Sequence, residues 1–175
     1  MTEVSFYEYS KLSSDEKSAL LRRSETDISG FIEKVGPILE AVRTEGDRAV
    51  ARFGRELDKA DVSESSIQVT EAEFDAAFKL VEDDVIEAIK FGISNIRTFH
   101  EEQKPEAMWL KEIRPGAFAG DRFTPIQSVA LYVSRGKGSF PSVTMMTSVP
   151  AVVAGVPNLA IVTPPAPDGS VDAAT

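Results

Sequence analysis

The feature that most constrains the fold of this chain is residues 128–165, SVALYVSRGKGSFPSVTMMTSVPAVVAGVPNLAIVTPP. An apolar strand carrying Val129, Leu131 and Val133 precedes a glycine-containing loop. Apolar residues at helical spacing come next, followed by a second apolar strand at 159–162. A strand, a helix and a strand in this length form a βαβ unit, which requires parallel strands and a right-handed crossover. The stretch therefore predicts an α/β fold.

Helices are predicted in the first part of the chain. Ser13, followed by acidic residues, starts a short helix that ends near Arg22. Residues 24–27 offer the cap of the next helix. That helix carries a long apolar stripe, in which Pro37 predicts a break or bend near Val35. Asp47 is expected to cap a third helix. Such stripes usually pack in a core; here the stripe consists of Ile28, Phe31, Ile32, Val35, Leu39 and Val42.

The middle of the chain alternates polar and helical segments. Residues 58–66 are polar and acidic and predict a loop, and 67–69 are a possible short strand. Thr70, with Glu73 three residues later, fits a capping box for a further helix. A longer helix is then predicted to begin at residues 82–84 and to run to about 103, because its apolar residues recur on one face.

A β-hairpin is predicted next. Residues 109–114 alternate along an extended segment, and 118–123 form the returning strand. Pro115 and Gly116 occupy the positions that a type II turn favours. The chain is therefore expected to be helical with a short hairpin before it enters the βαβ unit.

Composition limits the classes of function. The formal net charge of −9 argues against nucleic-acid and anionic-membrane partners, because both need a basic surface. The absence of cysteine excludes disulfides and thiolate metal sites, and the single histidine excludes a self-contained histidine-based zinc site. That histidine, His100, is either a proton shuttle or ligand, or an imidazole at a favourable helix end. MTEVSFYEYSKL lacks signal-peptide features, and no apolar run approaches the about 20 residues that span a bilayer. We therefore expect a soluble cytoplasmic protein.

The glycine loop of the βαβ unit does not match the common phosphate-binding motifs. A G-x-x-x-x-G-K-[ST] loop would need glycine where Leu131 stands and serine or threonine where Gly138 stands. The G-x-G-x-x-G fingerprint begins at Gly136 but has Pro141 in place of its last glycine. What remains is a loop before a helix N-terminus, with two cations, Arg135 and Lys137. It is either an anion or nucleotide site, or a tight turn with solvated cations.

The same stretch resembles a known family. ALYVSRGKGSFPSVTMMTSVPAVVAGVPNLAIVTPP is similar to the start of the cofactor-binding domain of histidinol dehydrogenases. That family typically has GLYVPGG, a Tyr or Phe-Pro-Ser-Ser segment, a helix ending Pro-Ala-x-x-Ala-Gly-Val and a strand ending Pro-Pro. Upstream, DISGFIEKVGPILEAVRTEGDRAVARFGRELD, NIRTFHEEQ and PGAFAGDRFTPIQSV resemble family segments in the same order. The resemblance covers nearly the whole chain.

The resemblance implies a zinc-dependent, NAD-linked, homodimeric dehydrogenase. Such an enzyme oxidises L-histidinol, an amino alcohol, through the aldehyde to L-histidine in two hydride-transfer steps. Family chains are more than twice this length. Their zinc ligands and Glu-His acid/base pair lie beyond the position of Thr175, so no catalytic or metal-binding residue is expected here. DGSVDAAT looks like the start of the next helix, which implies a truncated chain or proteolytic fragment that is inactive alone.

The resemblance also implies a domain division and a cofactor site. Residues 1–125 would be a helical N-terminal region with a hairpin, and 126–175 the incomplete start of an NAD-binding, Rossmann-like domain. Tyr132 corresponds to the family tyrosine that contacts the nicotinamide cofactor. The loop residues Gly136, Gly138 and Ser139 are further expected cofactor contacts.

One departure from the family pattern leaves the substrate open. The chain has SRGKG where the family usually has Pro-Gly-Gly, which adds positive charge beside the expected cofactor site. A relative that oxidises another amino alcohol or a polyol is therefore an alternative, because the hydride chemistry belongs to the cofactor. An alternative of another class is a short, non-catalytic binding paralogue. Two strands and one helix also leave sheet faces uncovered, which predicts self-association, strand exchange or disorder near residues 126–175.

Overall fold

A computed structural model describes residues 5–22, 28–135 and 138–175 of the chain. The chain divides into two compact units, Met1–Thr44 and Glu45–Thr175. The sequence-based boundary near residue 125 concerns the start of a cofactor domain, and it stays a prediction.

The first unit contains helices α1 (Ser14–Arg22) and α2 (Ser29–Glu45). The last residue of α2, Glu45, is already the first residue of the second unit. Helix α1 begins at a reciprocal cap. Glu16 Oε2 accepts hydrogen bonds from the Ser13 amide at 2.8 Å and from the Ser13 hydroxyl at 2.7 Å, and the Glu16 amide donates to that hydroxyl. The predicted helix start is confirmed. The cap proposed at 24–27 for the second helix lies outside the described residues.

Helix α2 differs from its prediction in two ways. It continues through Pro37, so a break near Val35 is wrong, and a bend there stays a prediction. Gly36 precedes the proline with open space around its Cα, and the turns on either side keep the helix intact despite the missing donor. The stripe is also not a core in the described unit, because Leu39 is 64% exposed and Phe31 59% exposed. Helical spacing aligned these residues on one face, but nothing described in this unit covers that face.

The second unit starts with helix α3 (Asp47–Phe53). Its N-cap is Gly46, at a φ of 61°, which favours glycine. The predicted cap at Asp47 is therefore wrong by one residue, and its carboxylate lies in the first turn instead, where negative charge suits the helix dipole. A π-helical turn, Gly54–Asp58, continues α3.

The predicted polar loop at 58–66 contributes buried apolar residues. Ala60 is 2% exposed and Val62 is 9% exposed, and Val62 packs directly on Gly54. The strand predicted at 67–69 is wrong, because the segment bends after a 3-10 turn, Glu64–Ser66, and pairs with none of the described strands. β-branched residues favour a strand only when a partner edge is available.

Two helices follow as predicted. Helix α4 (Glu71–Leu80) starts at a capping box in which Glu73 Oε2 accepts from the Thr70 amide at 2.8 Å and its hydroxyl at 2.7 Å. Helix α5 (Asp83–Gln103) carries acidic residues in its first turn and His100 in its last turn, both favourable to the dipole.

The hairpin is also confirmed. Strands β1 (Met108–Arg114) and β2 (Ala117–Arg122) pair antiparallel, with an irregularity between Glu112 and Arg114. Gly116 has a φ of 76°, as the third position of a type II turn requires. The Gly116 amide donates to Glu112 Oε1 at 2.8 Å, which closes the turn.

The βαβ unit has the predicted order and direction. Strand β3 (Ser128–Tyr132), helix α6 (Pro141–Ala154) and strand β4 (Asn158–Val162) follow one another, and β3 pairs with β4 in parallel. Helix α6 contacts both strands and also packs along α5. The α/β class is therefore confirmed: a mainly helical region with a hairpin precedes a two-stranded parallel unit.

The segment after β4, in which the sequence predicts only the cap of a next helix, consists of turns. Residues 166–175 form turns, with the Ala166 amide donating to Ser170 O at 2.7 Å and the Thr175 amide donating to Asp172 O at 3.1 Å. The segment docks on the 58–66 loop, because the Asp61 amide donates to Pro167 O at 2.9 Å. Gly169, at a φ of 84°, fits directly against the carbonyl of Asp61.

Removing the α4 cap should destabilise the protein in a pH-dependent way. Thr70→Ala should lower the free energy of unfolding by about 1 kcal/mol at neutral pH, the usual cost of a lost N-cap. Hydrogen bonds from the Thr70 backbone and side chain hold the pKa of Glu73 below its usual value of 4.5. A lowered pKa contributes stability above the unfolded-state pKa and loses it as the pH falls through the folded-state pKa.

The measurement is urea unfolding of wild type and Thr70→Ala at pH 7 and at several acidic pH values. The difference between the two proteins should shrink as Glu73 becomes protonated. Glu71→Gln, in the same first turn, serves as the control for general charge loss. A difference that stays constant across the acidic range contradicts this account of the cap.

Gly169→Ala should release the segment that follows β4. The alanine would hold a left-handed conformation, at a cost of about 1–2 kcal/mol, and its Cβ would meet the Asp61 carbonyl. Gly138→Ala is the matched control, because a Cβ at that loop position meets nothing within 4 Å. Hydrogen exchange should accelerate at the Asp61 amide in Gly169→Ala alone; equal protection in both variants would refute the docking.

Candidate functional site

The carboxyl ends of the two parallel strands define one edge of the βαβ unit. The register pairs Tyr132 with Val162, so both strands end at the same level. The loop to α6 and the segment that begins at Thr163 therefore leave from one edge. Ligands of open parallel sheets bind outside this edge, where loops and helix N-termini converge.

Tyr132 lies at this edge, where its backbone is paired with that of Val162. Its side chain is 64% exposed, whereas the next residue, Val133, is 1% exposed. The Val133 amide donates to Val162 O at 2.8 Å and extends the pairing just beyond the ring. The strand thus presents an aromatic side chain with a hydroxyl to any molecule bound at the edge, and its role as a cofactor contact stays a prediction.

The predicted loop contacts have different surroundings. Gly136 lies outside the described residues, as does Lys137. Gly138 is exposed and has no neighbour within 4 Å of a Cβ position, so another molecule can approach its backbone closely. The Ser139 hydroxyl, in contrast, donates to Asp172 Oδ1 at 2.5 Å.

Arg135 joins the two segments that leave the edge. Its Nη1 donates to Pro165 O at 2.8 Å, so a backbone carbonyl holds this cation. Asp168 has a lowered pKa, mainly because the Ser170 hydroxyl and amide donate to its carboxylate, with Arg135 adding a smaller electrostatic contribution. The positive charge of the loop is thus partly balanced within the edge itself.

The N-terminus of α6 opens toward the same loop. Pro141 occupies the first helical turn, and the N-cap residue, Phe140, has no side chain that can accept a hydrogen bond from the helix amides. No side-chain cap is formed, so the positive end of the helix dipole is available to an anionic group. An exposed aromatic ring, an approachable glycine and an uncapped helix together fit a nucleotide cofactor.

A metal centre does not fit the residues described. Over residues 5–22, 28–135 and 138–175, no group of three or more His, Cys, Asp or Glu side chains is arranged to hold an ion. His100 lies on α5 and meets Phe99 edge-on, with 5.3 Å between ring centres. Its environment favours the interpretation of a helix-end imidazole over that of a ligand.

A surface groove lies at the opposite end of the strands. It has a volume of about 630 Å³ and is bordered by 128–130 and 157–160, where both strands begin. The amino ends of parallel strands lack the converging loops and helix N-terminus that bind ligands. We therefore assign the candidate site to the carboxyl edge.

In the described helices, no apolar stretch is long enough to cross a membrane.

Sequence patterns missed one residue of this edge. Asp172 connects to Ser139, 33 positions earlier, while its Oδ1 also accepts from the Ala174 amide at 3.2 Å. An aspartate near the start of a predicted helix indicates a local cap. No spacing rule links it to a distant serine, so only the pairing of the two strands brings the two side chains together.

Comparison with known proteins identifies the family. The family model described as histidinol dehydrogenase matches residues 21–175. The chain is 86% identical over its full length to the "Histidinol dehydrogenase homolog" of Rhizobium meliloti (strain 1021), and it covers 38% of that protein. It is 41% identical to the "Histidinol dehydrogenase" of Synechocystis sp. over 93% of its length, again covering 38% of the relative.

A solved structure agrees with these matches. The crystal structure of histidinol dehydrogenase from Elizabethkingia anophelis superimposes with a TM-score of 0.78 at 28% sequence identity, over 93% of this chain and 37% of that one. The chain thus spans about two-fifths of the length of the relatives it matches. Sequence and fold agree over almost every residue, and the chain belongs to the histidinol dehydrogenase family.

Proposed function

We propose that this chain belongs to a zinc-dependent, NAD-linked alcohol dehydrogenase and begins its cofactor-binding sheet. The carrying observation is that residues 21–175 match the histidinol dehydrogenase family and end in a parallel unit with Tyr132 exposed at its carboxyl edge. The first candidate reaction is the oxidation of L-histidinol through the aldehyde to L-histidine. A cytoplasmic homodimer is part of the same proposal.

The described residues would bind and orient the cofactor. NAD supplies the hydride acceptor when bound. Tyr132 would stack on it or donate a hydrogen bond, as an exposed aromatic at a strand end can. Gly138 would let the loop backbone approach, and the uncapped amides of α6 would face an anionic part of the nucleotide.

The remaining chemistry is assigned to the further length that the relatives possess. The described residues offer no three-ligand metal group, and the sequence contains a single histidine, His100. The zinc ligands and the acid/base pair are therefore proposed outside this chain. The described part of the chain binds cofactor and holds no catalytic residue.

A second substrate class is favoured by one observation. The relatives that are 86% and 72% identical carry the name "Histidinol dehydrogenase homolog", whereas the Synechocystis relative, named without that qualifier, is 41% identical. The loop SRGKG also differs from the usual family segment beside the site. Another amino alcohol or a polyol is therefore the second candidate substrate.

The deciding experiment is a substrate panel on the whole protein of which this chain is a part. NADH formation should be followed with L-histidinol, other amino alcohols and polyols, with zinc present and after chelation. Zinc-dependent reduction of NAD by one of these alcohols supports the proposal. The 175-residue chain alone should be inactive. No reduction of NAD by any alcohol in the presence of zinc would overturn it.

Replacing Tyr132 should weaken NAD binding by the whole protein. Tyr132→Ala removes an aromatic contact worth about 0.5–1.5 kcal/mol, which corresponds to an increase of about 2- to 10-fold in Kd. Tyr132→Phe keeps the ring and separates stacking from the hydroxyl. The control is Tyr9→Ala, an equally exposed tyrosine in the first unit.

The measurement is calorimetric titration with NAD. Weaker binding in Tyr132→Ala, with Tyr9→Ala unchanged, supports the assigned contact. If Tyr132→Ala binds NAD as tightly as wild type, the residue is only a strand-end aromatic.

A further inference from the structure

We infer that Ser139 and Asp172 form a clasp that positions the end of the loop before α6, residues 138–140, for binding the nucleotide cofactor. The clasp is the hydrogen bond between the Ser139 hydroxyl and Asp172 Oδ1, at 2.5 Å. The inference rests on the proposed function, because it assumes that the cofactor binds at the carboxyl edge. Both residues are assigned as positioning residues that act through the loop backbone.

Asp172 is itself held in place. Its Oδ1 accepts from the Ala174 amide and from the Thr175 hydroxyl, each at 3.2 Å, and its carbonyl accepts the Thr175 amide at 3.1 Å. These bonds fix the carboxylate as the cap of a single turn. A hydrogen bond to a carboxylate that is already ordered loses less conformational entropy than one to a carboxylate that rotates freely.

The backbone around the carboxylate is anchored on two further sides. Arg135 donates to Pro165 O at 2.8 Å, and the Asp61 amide donates to Pro167 O at 2.9 Å. Residues 163–166 and 171–175 are half-buried. The segment after β4 is thus held in place by hydrogen bonds. Through the clasp it also restrains the end of the loop before α6.

Ser139 lies at the end of the loop, so its conformation affects the N-terminus of α6. It directly precedes Phe140, the N-cap residue of α6, which has no capping side chain. Because the Ser139 hydroxyl is directed to Asp172, it does not cap the first amides of α6. The clasp therefore leaves the N-terminus of α6 without a side-chain cap, open to an anionic group.

Breaking the clasp should weaken cofactor binding more than it affects turnover. A loop that samples several conformations binds more weakly in proportion to its competent fraction. For loss of one exposed hydrogen bond to a carboxylate, we expect the Kd and KM for NAD to rise about 3- to 10-fold. The kcat at saturating NAD should change less than twofold by our estimate, since neither side chain contacts the reacting atoms.

The experiment uses the whole protein with NAD as the probe. Ser139→Ala and Asp172→Asn are compared singly and together by calorimetric titration and steady-state kinetics. Ser139→Thr keeps the hydroxyl and should restore wild-type affinity. Ser170→Ala removes a hydrogen bond of the same kind in the same segment, from the Ser170 hydroxyl to Asp168 Oδ1 at 2.7 Å, and it is the matched control because it changes neither Ser139 nor Asp172.

A double-mutant cycle gives the decisive readout. If the two residues act through one hydrogen bond, the double variant should bind NAD about as weakly as either single variant. Melting temperatures of all variants show whether a loss of affinity reflects unfolding. If a variant fails to fold, the test is the comparison of NAD affinity between Ser139→Thr and Ser139→Ala at equal melting temperature.

The outcomes separate this inference from the proposed function. If wild type binds no NAD, the proposed function fails and the clasp has no cofactor to position. If wild type binds NAD and Ser139→Ala and Asp172→Asn bind within twofold of it, the clasp inference is overturned while the proposed function stands. Additive losses in the double variant also overturn it, because independent effects exclude a shared hydrogen bond.

Discussion

The parallel pairing of β3 with β4 is the constraint on which the carboxyl edge depends. Its register sets Tyr132 level with Val162, and the α6 crossover returns the chain to start the second strand in the same direction. Both outgoing segments therefore leave together, so Arg135 reaches Pro165 and Ser139 reaches Asp172. A slip of one residue would reverse the faces of one strand and separate these partners.

Burial in the described residues is concentrated in two small places. Val133 and Val149 are buried in the βαβ unit, and a second group lies around α3, formed by Ala49, Ala51, Ala60 and Val62. Other apolar residues are exposed to solvent, including two on β4, Ile161 at 43% and Val162 at 51%. Two strands with one crossover helix leave sheet faces uncovered, as expected for a parallel sheet that normally carries helices on both sides.

Local patterns predicted most elements of the fold. The caps at Ser13 and Thr70, the long helix α5 and the Pro-Gly turn of the hairpin depend on neighbours within a few residues, and each was confirmed. Two of the errors arose where a distant partner decides. The segment 67–69 finds no strand to pair with, and the α2 stripe has no described element to cover it.

The sequence by itself determined the family, the order of the elements and the position of Tyr132 at a strand end. The family follows from the resemblance of consecutive segments, whereas the elements follow from periodicity, capping and turn chemistry, which are short-range. Only the tertiary structure decided that Asp172 meets Ser139 and that Gly169 fits against Asp61. Such contacts depend on strand register and chain direction, because residues far apart in sequence meet only once the sheet has formed.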